Sequence, residues 1–455
     1  MPMRTLSQPR NRLKSTWSEL TTGPQGWLLA AVLVCLLSSS GGLLASQAAQ
    51  PGGQETSGTV SAAPKGQIHS VPAKTEIFLR LKTPVSTTSS HLHEAVEAEV
   101  ERAVEVNDEI AIPLGAVVSG RIARLIPSSS PTDRAVVLIE FNSLTLPGHS
   151  AIPMACHVSE IDNAKEKVLP DGTIQGVLAS ELPVTLLNSA IDKMEKKTGG
   201  TQQSQQGGGT WFGSPDTSIN YAAGTEFSVV LTKPVEVSGQ FKPVFARQIF
   251  ATLKESVMQL LEQAPRRVKN KKGDRGGPTN LVLVGSRQEI REAFKKAGWT
   301  AAQDQDANSL WRTFEAVVKG KGYDAAPMST LYMYGRPEDM AFEKMLNTFT
   351  HRHHLRVWKA PAAADGRQIW LVVADHDNGF DVRPGVISHS VDPDVDLERA
   401  KVGADLGMTG LVAAEELVSV SNPALSGVTA TGGKWESDGR LLVVDLKLQP
   451  AVSTP

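Results

Sequence analysis

The stretch THRHHLRVW, residues 350–358, places three of the chain's ten histidines within four positions. His351, His353, His354, His376 and His389 are half of all histidines, and Asp375, Asp377, Asp392, Asp394 and Asp396 lie among them. Imidazole with carboxylate is a donor set for zinc, iron or manganese. Strand geometry narrows the choice. If 353–360 is a strand, His353 and His354 point to opposite faces, and His351 shares the face of His353. His376 and Asp377 divide in the same way. The shell that remains is His351, His353, one residue of 375–377, and His389. No ligand pair in it has a motif spacing such as H-E-x-x-H.

Other chemistry is faint. The chain has no G-x-S-x-G elbow, no phosphate loop and no G-x-G-x-x-G. VLVGSRQE (282–289) puts one glycine before a helix start, which a strand-to-helix turn explains as well as an anion site does. The acids of DVDLER (394–399) could serve acid–base work, but acids also favour the first turn of a helix. Asp392 and Pro393 suit the cap and first position of that helix.

The elements that must position these residues fall into two groups. EIFLRLKTPV (76–85), AVEAEVERAV (95–104), EIAIPLGAVVSGRIARLI (109–126) and AVVLIEFNSLTL (135–146) are short β-type runs split by Pro, Gly and Ser. They predict a sandwich or barrel. PAKTEIFLRLKTPV (72–85) is echoed by AAGTEFSVVLTKPV (222–235), which assigns both strands to one β module with an insertion between them. Within that insertion, ELPVTLLNSAIDKMEKK (181–197) suits a helix, and GGTQQSQQGGGT (199–210) cannot bury enough apolar surface to fold alone. FARQIFATLKESVMQLLEQA (245–264) has Ile249, Leu253, Val257, Leu260 and Leu261 on one face, an amphipathic helix. APRRVKNKKGDRGGP (264–278) carries six basic residues against one acid and reads as a solvated linker.

The second group starts at Thr279. NLVLVG (280–285) is a buried strand, and Ser286 with Glu289 forms a capping box opening SRQEIREAFKKAGW. SLWRTFEAVVKG (309–320) predicts a second helix and residues 394–407 a third. STLYMYG (329–335), HHLRVWKA (353–360), RQIWLVVADHD (367–377), LVAAEELVSV (411–420) and KWESDGRLLVVDLKL (434–448) are strands. The expected class is α+β: an N-terminal β-rich barrel or sandwich module with a helical, low-complexity insertion, then a mixed C-terminal domain. The expected boundaries are a signal peptide over 1–48, a leader over 49–70 and the β module over 71–237, with its insertion at about 160–218. An amphipathic helix over 238–264, a basic linker over 265–278 and the α+β domain over 279–450 follow.

The 455 residues carry a net charge of −2, which argues against a nucleic-acid binder. Two cysteines, Cys35 and Cys156, allow no disulfide framework and no Cys-rich zinc site. Arg4, Arg10, Arg12 and Lys14 precede the apolar run Trp27–Leu37, and small residues follow. That order is a secretory signal peptide, with cleavage expected after Ala48. The alternative is an uncleaved anchor over residues 27–45, just long enough to cross a bilayer. Val34 stands before Cys35 where lipid attachment needs a small residue, so lipidation is not expected.

NLVLVGSRQEIREAFKKAGW, LYMYGRPEDMAFEK, HRHHLRVW and SHSVDPDVDLER, in this order, resemble the LssY C-terminal domain of bacterial envelope proteins over about 273–420. The front half looks like the β module of exported acidobacterial proteins that carry the same C-terminal domain. The family's fusions to membrane modules of the DedA and lipid-phosphatase types imply an envelope location more than a reaction. His353, His354, Arg356, Trp358, His389, Asp392, Pro393, Asp394, Asp396, Glu398 and Arg399 match the family pattern. Ser390 stands where the family often has a second histidine, and the position of His376 varies, which makes His376 the weakest ligand candidate. The candidate polar cluster is His353, His354, Arg356, Asp377, His389, Asp392 and Asp394, with His353 and His389 the candidates for a divalent metal. Structural or hydrogen-bonding roles are preferred for them. The expected function is an exported binding or structural protein of the periplasm or cell exterior. Its partner would be an envelope protein, a polymer or a membrane surface. A metal-assisted hydrolase of lipid or cell-wall material is the alternative.

Overall fold

The computed structural model describes residues 68–182, 185, 216–301, 324–325, 330–346, 351–364, 366–383, 386–429 and 432–447, for 324–325 and 380–389 the backbone alone. The signal segment with Ala48, the span 27–45 and the helix expected over 309–320 lie outside the described residues. So does nearly all of the helix expected over 181–197.

Alternation builds the first module. Strands β1 (Ile68–Val71), β2 (Glu76–Leu81), β3 (Val85–Ser86) and β4 (Ala95–Val100) are followed by β5 (Val117–Ile126), β6 (Val136–Thr145) and β7 (Cys156–Ile161). Further on come β8 (Asn220–Tyr221), β9 (Glu226–Leu231) and β10 (Val235–Ser238). In β2, Ile77, Leu79 and Leu81 are buried while Glu76, Phe78 and Arg80 take the other face. AVEAEV repeats the pattern with Val96, Ala98 and Val100, so packing overrides the helix preference of Ala and Glu. The hydrogen-bonded order β7–β9–β2–β4–β5–β6 forms a barrel-like sheet around these apolar faces.

The echo in the sequence is a local two-fold relation. β2 and β9 are antiparallel neighbours. Leu81 N donates to Thr225 O at 2.7 Å, and Leu231 N donates to Thr75 O at 3.0 Å. Gly224 N donates to Leu81 O, and Lys74 N to Leu231 O, both at 2.7 Å. β1 pairs with β10 at Val71 and Val235, as β8 pairs with β3 at Tyr221 and Val85. Both turns need a left-handed residue: Gly224 at φ 94° and, without glycine's freedom, Lys74 at φ 71°. The excursion between the halves begins later than expected. Lys167–Val168 and Ile174–Gln175 still extend the sheet beside β6.

The second module has three layers. Helix α1 (Ala251–Gln263) buries Leu253, Val257 and Leu261. The expected basic linker is a correction: β11 (Arg267–Lys269) and β12 (Arg275–Pro278) form a hairpin. Asn270 Oδ1 accepts the amides of Lys272 and Asp274 at the turn, each at 2.9 Å. Arg267 donates to the carbonyls of Gly276 and Val428 and lies over Trp435, so its charge serves the fold. β13 (Leu281–Val284) then runs into α2 (Arg287–Lys296), capped as expected by Ser286 and Glu289. β14 (Met340–Lys344), β15 (His351–Ala364), β16 (Arg367–Arg383) and β17 (Val386–Val391) precede α3 (Val395–Gly407). β18 (Val412–Val418) and β19 (Leu441–Leu446) complete the sheet, in the order β14–β15–β16–β13–β19–β18.

Only β13 and β19 among these neighbours are parallel. α1 covers one face, against Trp358, Leu371 and Val443. α2 and α3 cover the other, against Leu355, Val357 and Val372. This burial on both sides is why LVLV reads as an unbroken apolar run. Among the described residues, no helix is long and apolar enough to cross a membrane.

Candidate functional site

The histidine-rich end of β15 meets the first module. His353 pairs across the strands with His376, and the two rings stack with centroids 4.4 Å apart. Residues 162–164, just beyond β7 of the barrel-like sheet, lie against this end. His353 Nε2 is 2.8 Å from Asp162 Oδ2, and His376 Nε2 is 2.8 Å from Asn163 Oδ1. His351 Nδ1 is 3.3 Å from the carbonyl of Ala164. From α3, Glu398 Oε2 reaches Nδ1 of His353 at 2.6 Å. Both ring nitrogens of a buried imidazole are therefore held by carboxylates.

The electrostatics follow from that pairing. Burial lowers the proton affinity of His353, but Asp162 and Glu398 outweigh it and hold the ring up at about 10. His376 is lowered to about 4, by burial first and then by the charge on His353. Asp162 is held below the usual carboxylate range: burial opposes this, and His353 overcomes it. The stacked pair thus comprises one imidazolium and one neutral imidazole.

A second cluster continues the same seam. Asp405, fully buried on α3, receives Arg80 of β2 at 2.9 Å, Lys401 at 2.5 Å and Lys344 of β14 at 3.0 Å. Arg80 and Lys401 meet its Oδ1, and Trp299 Nε1 donates at 2.7 Å to Oδ2, the oxygen that Lys344 also meets. Glu226 of β9 accepts Arg80 at 2.8 Å and pairs with Lys401 at 2.5 Å and with Lys344. Glu101 lies 3.5 Å from Arg80 and 3.6 Å from Lys401. Burial raises Glu101 to about 7. Lys401 opposes the rise, and Glu226 and Asp405 add to it. Across the seam, Arg80, Lys344, Lys401 and His353 face Glu101, Glu226, Asp405, Asp162 and Glu398.

The sequence candidates separate accordingly. His354 and Asp377 lie on the opposite face from His353, with Nε2 3.0 Å from Asp377 Oδ1 and Arg352 Nη2 3.0 Å from Asp377 Oδ2. Arg356 is buried on that face, 3.9 Å from Glu338. Asp392 accepts the amide of Asp394 at 3.0 Å, and Asp394 caps α3 by accepting from the amide of Asp396. His389 pairs with Phe380 on the adjacent strand, and its side chain lies outside the described residues.

His376, the weakest candidate by sequence, is the residue stacked on His353. Asp162, Glu101, Glu226, Arg80 and Lys401 were not singled out at all. Asp162 is 191 positions from His353, and no spacing signal spans that distance. Asp162, His353 and His376 offer three ligand atoms within 4.8 Å of one another. Glu398 on the far nitrogen of His353 is the outer partner a metal-bound histidine usually has. Glu101, Glu226 and Asp405 also converge, but their oxygens already face three cations.

A barrel-like β module and a three-layer α+β module joined through buried charge define a two-module protein class. Residues 261–441 match the model of the family described as LssY C-terminus, the same family that the C-terminal motifs resemble. The four motifs quoted above lie inside that range. No curated protein matches the chain. ComB10 of the Com Type IV secretion system of Helicobacter pylori aligns with 38% of this chain and 93% of its own. The TM-score is 0.21 and the identity 11%, a likeness that assigns neither fold nor function.

Proposed function

We propose that the protein is an exported cell-envelope protein with a binding or structural role, in which the β module and the LssY C-terminal domain act as one body. The observation that carries this reading is the commitment of both nitrogens of His353, one to Asp162 of the first module and one to Glu398 of the second. A base or ligand must keep a lone pair for its substrate, and an imidazolium between two carboxylates has none. The basic, apolar and small-residue order of residues 1–48 supports export. The partner would be an envelope protein, a polymer or a membrane surface. To test this, the chain is expressed in a bacterial host, fractionated and sequenced from its N-terminus. It is also assayed against phosphate, ester and glycan substrates. Export with cleavage after Ala48 and no turnover is expected. Turnover abolished by His353→Ala together with His389→Ala would overturn the reading.

The second reading, a metal-assisted hydrolase, draws on the convergence of Asp162, His353 and His376. If a metal takes the place of the proton on His353 Nε2, Asp162, His353 and His376 would hold it and Glu398 would orient His353. Elemental analysis of protein purified without chelators decides between the two. A stoichiometric metal lost in His353→Ala favours the hydrolase, and its absence counts against it.

A further inference from the structure

Away from the histidines, the seam also holds a half-open cavity of about 470 Å³. Its walls come from the loops around Glu101 and Leu114, from the connector at Pro243–Phe245, and from α3 and β18. Gly403 and Gly407 put a bare helix surface on one side: a Cβ at Gly403 would meet Leu442 at 2.6 Å, and one at Gly407 would meet Phe245 at 2.9 Å. The volume is that of a small-molecule site. Most of the wall is apolar, and among the described lining residues two buried polar atoms have no hydrogen-bond partner, Arg102 Nε and Glu415 Oε2. Glu415 Oε2 is buried without a hydrogen-bond partner, 3.7 Å from the position a Cβ on Gly403 would take.

Among the described lining residues, the other carboxylates are engaged. Glu101 faces Arg80 and Lys401, Glu105 holds Arg247, and Glu416 holds Lys254. Arg247 is the cation nearest in effect to Glu415, yet its guanidinium is spent on both oxygens of Glu105. A desolvated acceptor left unmatched is costly, and a cationic donor would satisfy it best.

We propose that this cavity binds a small amphipathic amine, its apolar chain against Leu114, Phe245 and Leu442 and its ammonium donating to Glu415. This inference stands apart from the reading of the histidines. The test is calorimetric titration of the full-length chain with n-octylamine, n-octanol and octanoate. Octylamine binds at least tenfold more tightly than octanol, and octanoate does not bind. Glu415→Gln removes the preference for the amine, and Ala400→Trp, which fills the mouth from an exposed helix position, abolishes binding. Equal affinity for octylamine and octanol, no binding of octylamine, or an unchanged octylamine affinity in Glu415→Gln would each overturn the proposal. The comparison of the three ligands on the unaltered chain holds even if a variant fails to fold.

Discussion

At the residue scale, His353 and His376 show one side-chain type driven in opposite directions by its neighbours. His353 gains two carboxylates and is raised to about 10, whereas His376 gains a cation and burial and is lowered to about 4. Stability from a raised histidine is fully present below its unfolded value, roughly 6.5, and is lost as pH climbs through the folded value. For the lowered one, stability is present above roughly 6.5 and is lost as pH falls toward the folded value. The pair therefore loses stability at both ends. At pH 7, nitrogen chemical shifts should show His353 doubly protonated and His376 neutral. Ordinary titration of His353 near 6.5 would contradict the assignment.

At the element scale, close strand approach sets the tolerance. β5 bulges at Ser119–Gly120, where it pairs with β6. A Cβ on Gly120 would stand 2.1 Å from the carbonyl oxygen of Glu140. That contact is backbone, so no side-chain rotation relieves it. Gly120→Ala should destabilise the protein by about 1–3 kcal/mol, the usual cost of overpacking. A chemical-denaturation midpoint equal to that of the unaltered chain would refute this. Much at this scale was readable in the sequence. The alternating runs became strands, the Ser286–Glu289 box capped its helix, and the unbroken run LVLV marked a strand covered on both faces. The basic hairpin was not readable, because charge density alone does not reveal that Arg267 ends on carbonyls and Trp435.

For the whole molecule, the buried charges should make the two modules unfold together. Asp405 is buried with three cations from both modules around it, and removing one partner of such a set typically costs about 3–5 kcal/mol. Calorimetry should give one transition for the unaltered chain and a lower one, or two, for Asp405→Asn. Two transitions in the unaltered chain would show that the modules are independent. The pH response has a defined sign. Glu101 is raised to about 7, chiefly by burial, so its contribution is complete below the ordinary carboxylate range and declines as pH rises through neutrality. Glu101→Gln should remove that decline.

The sequence by itself determined local facts: strand alternation, the Ser286–Glu289 cap, the family likeness of the C-terminal module, and the division of His353 from His354 by strand geometry, whereas the cap of α3 is Asp394 and not the expected Asp392. These depend on neighbours a few positions apart, where covalent geometry dictates which side chains share a face. Only the tertiary structure decided what the histidines meet. Asp162 and His353 are separated by 191 residues, as Arg80 and Asp405 are by 325. Their encounter depends on how one folded surface docks against another, and no local pattern encodes that. Of THRHHLRVW, His351 and His353 thus meet the β module, through a loop from the opposite half of the chain, while His354, Arg356 and Trp358 turn to the other face of the sheet.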